Sequence, residues 1–362
     1  MSIPPDRIKG RGAAGNPVGR FEATRHEAED DGWWHDEEPT SAPRTEVTIE
    51  RARSVVTRNE SPDLPFDLAL NPYRGCEHGC SYCYARPTHE YLNLSAGLDF
   101  ETRLYAKTNA AEVLRDELGR RGHVVSPINL GASTDPYQPI ERRYAITRGV
   151  LEVLAQCRHP ATIVTKNALV LRDLDLLQRL ARDSLIRVFL SVTTLDNTLA
   201  SRLEPRASAP HARLRAVAQL AAAGVPVGVF VAPLIPALTD HELETIMGAA
   251  REAGASTISY TLLRLPWQVA PLFRQWLDLN VPGRAAHIMS LQQQMRGGRD
   301  NDPRFGTRMR GEGQFAQLLQ RRFELARKRL GFPSREENED LRCDLFEPPR
   351  KTQASAQGDL FG

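Results

Sequence analysis

The sequence lacks an excess of charge of either sign. Its 47 lysine and arginine residues face 45 aspartate and glutamate residues, which leaves a formal net charge of +2. The overall charge therefore does not single out a nucleic acid, a membrane surface or any other partner. A hydrophobic content of 41% is typical of a soluble globular protein with some disordered sequence.

A secretory signal and a disulfide framework are also missing. The first residues, MSIPPDRIKGRG, contain no apolar segment of the kind that a signal peptide needs. The chain has only five cysteines, an odd number. These features predict a cytoplasmic, reducing location, where clustered cysteines are metal or catalytic ligands rather than disulfide partners.

A long run without charge extends from Ala216 to Thr239 and is long enough to cross a bilayer. It is interrupted by Gly224, Pro226, Pro233 and Pro236. We therefore interpret it as a helix end, a turn and the buried strand VPVGVFVAP, and predict no contact with a membrane.

The pattern along the chain predicts three regions. Residues 1–60 are rich in glycine, proline and charge, with an acidic run over 27–38, and predict a flexible, disordered arm. Residues 61–295 alternate apolar, β-branched runs with amphipathic helical segments. Residues 296–362 read as a basic glycine-rich loop, an amphipathic basic helix and a flexible tail.

Six strand-then-helix units are predicted in the central region. The strands are FDLAL (66–70), PINLGAST (127–134), ATIVTK (161–166), IRVFLSV (186–192), VPVGVFVAP (225–233) and STISYTLLR (256–264). Repeated units of this kind form a parallel sheet covered by helices. Six units are too few for a closed eight-stranded barrel, so a partial barrel or a doubly wound sheet fits, and in both folds ligands bind at the carboxyl ends of the strands.

Three cysteines lie close together in NPYRGCEHGCSYCY, just after the first of these strands. Cys76, Cys80 and Cys83 have the spacing C-x3-C-x2-C, and no fourth cysteine is near. Four thiolates would close a structural zinc site, whereas three indicate an iron–sulfur cluster with one iron left open. Gly75 and Gly79 relax the backbone where it must curl around the metal.

Two other interpretations of this cysteine run stay open. A zinc ion held by the three cysteines and either His78 or His89 is one of them. The other is that the three thiols bind no metal.

The spacing, together with Tyr82 directly before the last cysteine, resembles the signature of the radical SAM enzymes. The resemblance implies a partial (βα)6 barrel in which Cys76, Cys80 and Cys83 hold three irons of a [4Fe–4S] cluster. It also implies that S-adenosylmethionine chelates the fourth iron and is cleaved by one electron to a 5′-deoxyadenosyl radical, and that Tyr82 lies near the adenine.

Further segments resemble the spore photoproduct lyase-like branch of this superfamily, over about residues 66–290. The resembling stretches are IVTKNALVLRDLDLL and LEPRASAPHARLRAVAQLAAAGVPVGVFVAPLIP. Carried over by position, Lys166 meets the methionine carboxylate of the cofactor and Ser191 hydrogen-bonds it. Glu204 and Arg213 either contact the polar end of the cofactor or pair with each other.

One stretch departs from the lyase pattern. The lyase has a hydrogen-donating cysteine before its T-S-D segment, whereas this chain has Ala132 and Ser133 in LGASTDPYQPIE, which puts spore photoproduct repair in doubt. Polar groups follow at the carboxyl end of the second strand, where substrate would lie: Asp135, Tyr137, Gln138 and Glu141. The alternative is a proline-stiffened turn whose aspartate caps a helix.

The remaining signals are weaker. We interpret Cys157 as an apolar filler in a helix, and Cys343 as a hydrogen donor only if the tail folds over the barrel mouth. The arginine-rich segment 296–310, with Phe305 available to stack, fits either a nucleic-acid backbone or a solvated loop.

Together the observations predict an α/β radical SAM enzyme with a helical C-terminal extension. Its cofactors are the cluster and S-adenosylmethionine, its electron donor a reductase or a flavodoxin- or ferredoxin-type protein, and its substrate unknown, with a nucleic acid favoured by resemblance alone. The alternative function is a non-catalytic nucleic-acid-binding protein that carries zinc or an iron–sulfur cluster.

Overall fold

The strands of the protein follow the predicted alternation. A computed structural model describes residues 7–21, 43–334, 337 and 340–349. The strands are β1 Glu46–Glu50, β2 Val56–Arg58, β3 Leu68–Leu70, β4 Tyr73–Arg74, β5 Arg103–Lys107, β6 Ile128–Leu130, β7 Ala161–Thr165, β8 Ile186–Ser191, β9 Val227–Leu234 and β10 Thr257–Leu262.

Helices occupy most of the connections between these strands. The α-helices are α1 Asp99–Thr102, α2 Ala110–Leu118, α3 Glu141–Tyr144, α4 Ile146–Gln156, α5 Leu174–Arg182, α6 Asn197–Leu203, α7 Pro210–Ala222, α8 Leu243–Glu252, α9 Val269–Asn280, α10 Pro282–Gln294 and α11 Gly313–Arg329. Short 3-10 helices cover Arg86–Leu92, Ala168–Asp173 and Asp240–Glu242.

The main sheet has seven strands in the order β10-β9-β8-β7-β6-β3-β2. The six strands predicted from the sequence all pair in parallel, and only β2 runs antiparallel, against β3. Because the six parallel strands follow one another in chain order, the sheet has no reversal of the kind that a doubly wound sheet shows. The prediction of a partial (βα)6 barrel is confirmed.

The arginine-rich segment after α10 bridges the two edges of this sheet. At one edge, the Leu262 amide at the end of β10 donates to the Met309 carbonyl at 3.0 Å. At the other, Asp63 in the β2–β3 connection accepts from the Gly306 amide at 2.7 Å and pairs with the Arg308 guanidinium at 2.5 Å. The segment therefore closes the open side of the barrel.

The segment 1–60, for which a flexible arm is predicted, contains two strands among its described residues. β1 pairs with β5 and β5 with β4 in a separate three-stranded sheet, and β2 forms the edge of the main sheet. The acidic run 27–38 lies outside the described residues. The domain boundaries stay a prediction.

The hydrophobic core fills the space between the main sheet and its helices. Along strands such as β7 and β8, buried side chains that belong to this core alternate with partly exposed side chains on the other face of the sheet. Helix α11 covers the β10 edge with Phe323, which packs on Tyr260 with ring centroids 4.7 Å apart.

The long uncharged run is divided as predicted between α7 and β9. None of the helices in the described part of the chain combines the length and the apolar character needed to span a membrane.

Candidate functional site

The cysteine loop follows the short strand β4, beyond the carboxyl end of β3. Gly75 and Gly79 have positive φ angles of 75° and 65°, in the left-handed region that glycine tolerates best. A Cβ atom at Gly79 would lie 2.6 Å from a carboxylate oxygen of Glu101, and one at Gly75 would lie 2.8 Å from the Phe100 carbonyl oxygen. The backbone therefore curls as expected, and neither position has room for a side chain.

Polar side chains from the β6–α3 connection support this loop from one side. Gln138 accepts from the Glu77 amide at 2.8 Å and donates to the Gly75 carbonyl at 3.3 Å. The Thr134 hydroxyl donates to the same carbonyl at 2.6 Å. These bonds satisfy the backbone of a loop that contains no regular structure of its own.

A buried arginine supports the loop from the other side. Arg86 donates to the Cys80 carbonyl through Nε at 3.0 Å and Nη2 at 2.9 Å, and its Nη2 also pairs with Glu101 at 2.5 Å. Its Nη1 donates to the carbonyls of Ala96 and Gly97 at 3.1 and 2.9 Å. Its side chain is fully buried, and its guanidinium holds the cysteine loop against the segment Ala96–Glu101.

The N-terminal segment closes over the same ion pair. Glu101 accepts from the amides of Gly12 and Ala13 at 3.0 and 2.9 Å, in addition to Arg86. Nearby, Arg20 pairs with the buried Glu90 at 2.5 Å. Residues 11–20 thus form a strap, called here the N-terminal strap, that covers the back of the cysteine loop.

Replacement Arg86→Gln is expected to lower the free energy of unfolding by about 3–5 kcal/mol, because Glu101 would stay buried without its cationic partner. Urea unfolding of the metal-free protein measures this loss. Arg103→Gln, at an exposed position on β5, is the control and should change stability by less than about 0.5 kcal/mol. Equal, small effects of both changes would contradict the assigned role of Arg86.

The three thiols of the loop share one buried environment. All three cysteines are free, Cys76 and Cys80 are buried and Cys83 is partly buried. Burial, then Asp135 and the other two cysteines, raise the pKa of Cys76 well above its usual value. Burial and Glu204 raise the pKa of Cys80. A cluster binds the thiolate form, so metal binding would displace the thiol protons that burial retains, and three thiols on one loop are a donor set that fits an iron–sulfur cluster.

The histidines near the loop are engaged elsewhere. His78 faces Asp135 through Nδ1 at 3.3 Å and Asn167 through Nε2 at 3.2 Å. His89 places Nε2 2.8 Å from the Arg103 carbonyl. Within the described part of the chain, no three Cys, His, Asp or Glu side chains are gathered closely enough to hold a single metal ion. A zinc site completed by either histidine therefore receives no support from the geometry.

The five residues predicted to bind the cofactor meet in one network beside Cys80. Glu204 accepts from the hydroxyl of Tyr82 and from Nη2 of Arg213, and its Oε1 lies 3.7 Å from Nζ of Lys166. Arg213 also donates to the Ser191 carbonyl at 2.8 Å. Glu204 and Arg213 are each 1% exposed and form a buried ion pair. The structure thus favours the pairing over a direct contact of either group with the cofactor.

Lys166 is the member of this network that faces open space. Its side chain is 16% exposed, its Nζ lies 5.9 Å from the centre of the Tyr82 ring, and it donates to the Ala232 carbonyl at 3.3 Å. Burial alone would raise the pKa of Glu204, but Arg213 and Lys166 lower it to about 2. Glu204 is therefore ionised at neutral pH, and its Oε1 lies beside Lys166 at the mouth of the barrel.

The polar residues of TDPYQPIE are buried rather than open to a substrate. Asp135 accepts from the Lys166 amide and the Thr165 hydroxyl, each at 2.7 Å, and so ties the β6–α3 connection to the end of β7. Tyr137 donates to Asp173 at 3.1 Å, and Glu141 pairs with Arg172 at 2.6 Å. The segment supports the site and does not line it.

The other two cysteines are remote from the loop. Cys157 ends α4 and is buried in the main core, as predicted. The segment with Cys343 bonds to the amino-end side of the sheet, because the Arg342 amide donates to the Ser184 carbonyl just before β8. Cys343 therefore lies at the opposite end of the barrel from the cysteine loop, away from the position that a hydrogen donor needs.

Most arginines of the segment 296–310 have partners within the protein. Arg304 pairs with Asp302 at 2.9 Å, and the buried Arg296 donates to the Leu263 carbonyl at 2.7 Å. With Arg308 bound to Asp63, the segment serves as a bridge rather than as an open track for a nucleic-acid backbone.

Sequence reasoning missed several residues that hold this site. Arg86 and Glu101 carry no sequence signal, since their partners lie up to 89 residues away along the chain. Gln138 was singled out by its place after a strand, but its role in supporting the cysteine loop follows only from the folded structure.

A protein-family model and several known proteins match this chain. The family model described as the radical SAM superfamily matches residues 70–250. An uncharacterized protein of Mycobacterium tuberculosis is 41% identical over 216 residues, which are 59% of this chain and 64% of the relative. An uncharacterized protein of Methanocaldococcus jannaschii is 27% identical over 239 residues, 66% of this chain and 85% of the relative.

A solved structure has a similar fold. The spore photoproduct lyase complexed with dinucleoside spore photoproduct superposes with a TM-score of 0.57 and 16% identity, over 78% of this chain and 79% of that chain. At this level of identity the likeness concerns the fold. The chain spans less than two thirds of the length of the mycobacterial relative.

Proposed function

This chain belongs to the radical SAM superfamily, and from that premise we propose that Cys76, Cys80 and Cys83 hold a [4Fe–4S] cluster whose fourth iron binds S-adenosylmethionine. When bound, the cluster supplies one electron that cleaves the cofactor to methionine and a 5′-deoxyadenosyl radical, which abstracts a hydrogen atom from the substrate. The support that this proposal rests on most is the set of three free thiols on one loop beyond the strand ends, two of them buried and one partly buried.

The protein's own groups hold the cofactor rather than perform the redox chemistry. Lys166 provides a partly exposed cation for the methionine carboxylate, and the buried Glu204 fixes the direction of its ammonium group. Tyr82 offers its ring beside that ammonium, where the adenine is expected, while its hydroxyl is anchored on Glu204. Ser191, at the end of β8, is proposed to hydrogen-bond the cofactor.

The substrate is proposed only at the level of chemical class. The fold neighbour is complexed with a dinucleoside, which makes a nucleic acid or a modified base our favoured class of substrate. Spore photoproduct repair itself is not proposed, because Ala132 and Ser133 stand where a hydrogen-donating thiol would be needed. A reductase or a flavodoxin- or ferredoxin-type protein is the proposed electron donor.

Anaerobic reconstitution with iron and sulfide, followed by dithionite and S-adenosylmethionine, is expected to yield about four irons and four sulfides per chain and to release 5′-deoxyadenosine. Metal analysis and mass spectrometry measure both. One zinc per chain without 5′-deoxyadenosine would instead favour the alternative of a non-catalytic metal-bearing protein that binds nucleic acid.

Lys166→Met is expected to weaken the binding of S-adenosylmethionine by about 10-fold or more, because the cofactor carboxylate would lose its cationic partner. The iron content should stay near that of the wild type. Equilibrium binding to the reconstituted, unreduced protein measures the affinity. Lys107→Met is the control, because Lys107 ends β5 and its ammonium group donates to the Asn71 carbonyl. Equal affinities in the wild type and the Lys166 variant would remove Lys166 from the cofactor site.

A further inference from the structure

A cationic side chain that has no anionic partner among the described residues lies at the mouth of the barrel. Arg264 follows the last strand, β10, and its Cζ lies 5.6 Å from the centre of the Tyr84 ring. Tyr84 comes directly after Cys83, and its hydroxyl donates to the Ala132 carbonyl beyond the end of β6. Arg264 and the cysteine loop therefore border the same space, enclosed by strand ends from both halves of the sheet.

The guanidinium of Arg264 is poorly satisfied by the protein. Its hydrogen-bond contact is from Nη1 to the sulfur of Met309 at 3.8 Å, a weak acceptor, and its buried Nε has no partner. Across the described ranges, no carboxylate oxygen lies within ion-pairing distance of it. The nearest acidic group that influences it, Asp63, is already bound by Arg308 and the Gly306 amide.

The surroundings of Arg264 raise the free energy of its unpaired guanidinium. Burial and the charge of Arg308 both lower the pKa of Arg264, which means that its charged form is destabilised where it stands. A partly buried cation with an unused N–H donor gains most from an anion that also accepts hydrogen bonds. Tyr84 is 50% exposed and Arg264 is partly exposed, so solvent reaches both side chains.

We propose that Arg264 binds an oxyanion of the substrate, a phosphate or a carboxylate, and so fixes the substrate between β10 and Tyr84. This inference rests on the proposed function, which makes the ligand of this space a substrate. It concerns a different ligand from S-adenosylmethionine. The planar guanidinium presents two parallel N–H donors, which suits either oxyanion better than a lysine would. The adjacent Tyr84 ring provides an apolar wall for the part of the substrate next to the charged group.

The test compares the thermal unfolding of the full chain in sodium phosphate, sodium acetate and sodium chloride at matched ionic strength. In the wild type, phosphate or acetate is expected to raise the unfolding midpoint above its value in chloride by about 1 °C at a few times the dissociation constant. Arg264→Gln should lose this rise, and Arg264→Lys should retain part of it. Whichever anion acts identifies the oxyanion.

Arg299→Gln is the matched control, because Arg299 is an exposed arginine of the neighbouring loop. It should show the same rise as the wild type, which separates a specific site from the general stabilisation that phosphate gives to folded proteins. No rise with either anion in the wild type, or the same rise in all four proteins, would overturn the proposal.

This measurement needs neither the iron–sulfur cluster nor cleavage of the cofactor. A wild-type protein that releases no 5′-deoxyadenosine would count against the proposed function, and the anion shifts would still be readable. Conversely, an enzyme that cleaves S-adenosylmethionine but shows no Arg264-dependent shift would retain the proposed function and lose the oxyanion site.

Discussion

Replacement Cys80→Ala is expected to abolish cluster assembly and the release of 5′-deoxyadenosine. Removing one of three protein ligands leaves two irons of the cluster without protein anchors, where the wild type leaves one. The iron content after anaerobic reconstitution should fall from about four to below one per chain. Product formation should fall by more than about 100-fold, beyond the usual cost of losing a residue that only supports a metal ligand.

The chain offers a matched control for this change in Cys343→Ala. Cys343 is a free cysteine at the other end of the barrel, and its thiol makes only a weak contact with the Leu341 carbonyl at 3.7 Å. That variant should retain its iron and its product formation. A Cys80→Ala protein that still cleaves S-adenosylmethionine would refute the assignment of the three cysteines.

Replacement Glu204→Gln is expected to lower the free energy of unfolding by about 3–5 kcal/mol at pH 7. The reason is that Arg213, which is 1% exposed, would keep its charge without the carboxylate that now compensates it. Urea unfolding of the metal-free protein measures the change. Glu244→Gln removes a partly exposed ion pair with Arg322 and should cost less than about 1 kcal/mol.

The effect of Glu204→Gln should also depend on pH in a defined direction. The pKa of Glu204 is lowered from 4.5 to about 2 in the folded protein, so the carboxylate stabilises the fold fully above pH 4.5. This stabilisation is lost as the pH falls from 4.5 towards 2. The difference in stability between wild type and variant should thus be constant from pH 8 to about pH 5 and shrink below it. A difference that widens in acid would contradict the charge assigned to Glu204.

The sequence predicted the parts of the fold that repeat. Each of the six parallel strands is a short apolar, β-branched run next to an amphipathic helix, so periodicity alone places strands such as Ala161–Thr165 and Ile186–Ser191. Periodicity could not decide between a barrel and a doubly wound sheet, because strand order depends on how the helices pack across the sheet. The resemblance to a family supplied that choice, and the strand order confirmed it.

The site was predictable only where chemistry depends on local spacing. Cys76, Cys80 and Cys83 are recognisable because a metal cluster needs ligands close together in the chain. The bridge between Arg308 and Asp63 joins residues 245 positions apart, and no local pattern reports such a contact. Local patterns do not indicate Arg264 either. Its importance follows from its lack of a carboxylate partner among the described residues, which only the folded structure shows.

The cysteine loop is completed by parts of the chain that are synthesised at very different times. The Gly12 and Ala13 amides of the N-terminal strap are made before the loop, whereas the Leu203 carbonyl, which accepts from the Ser81 amide at 3.0 Å, follows more than a hundred residues after it. A nascent chain that has just exposed its three thiols therefore lacks the later contacts to the loop, from Arg86 to Leu203. The loop is accordingly expected to reach its final conformation, and to load iron, only after the chain has been synthesised past Leu203.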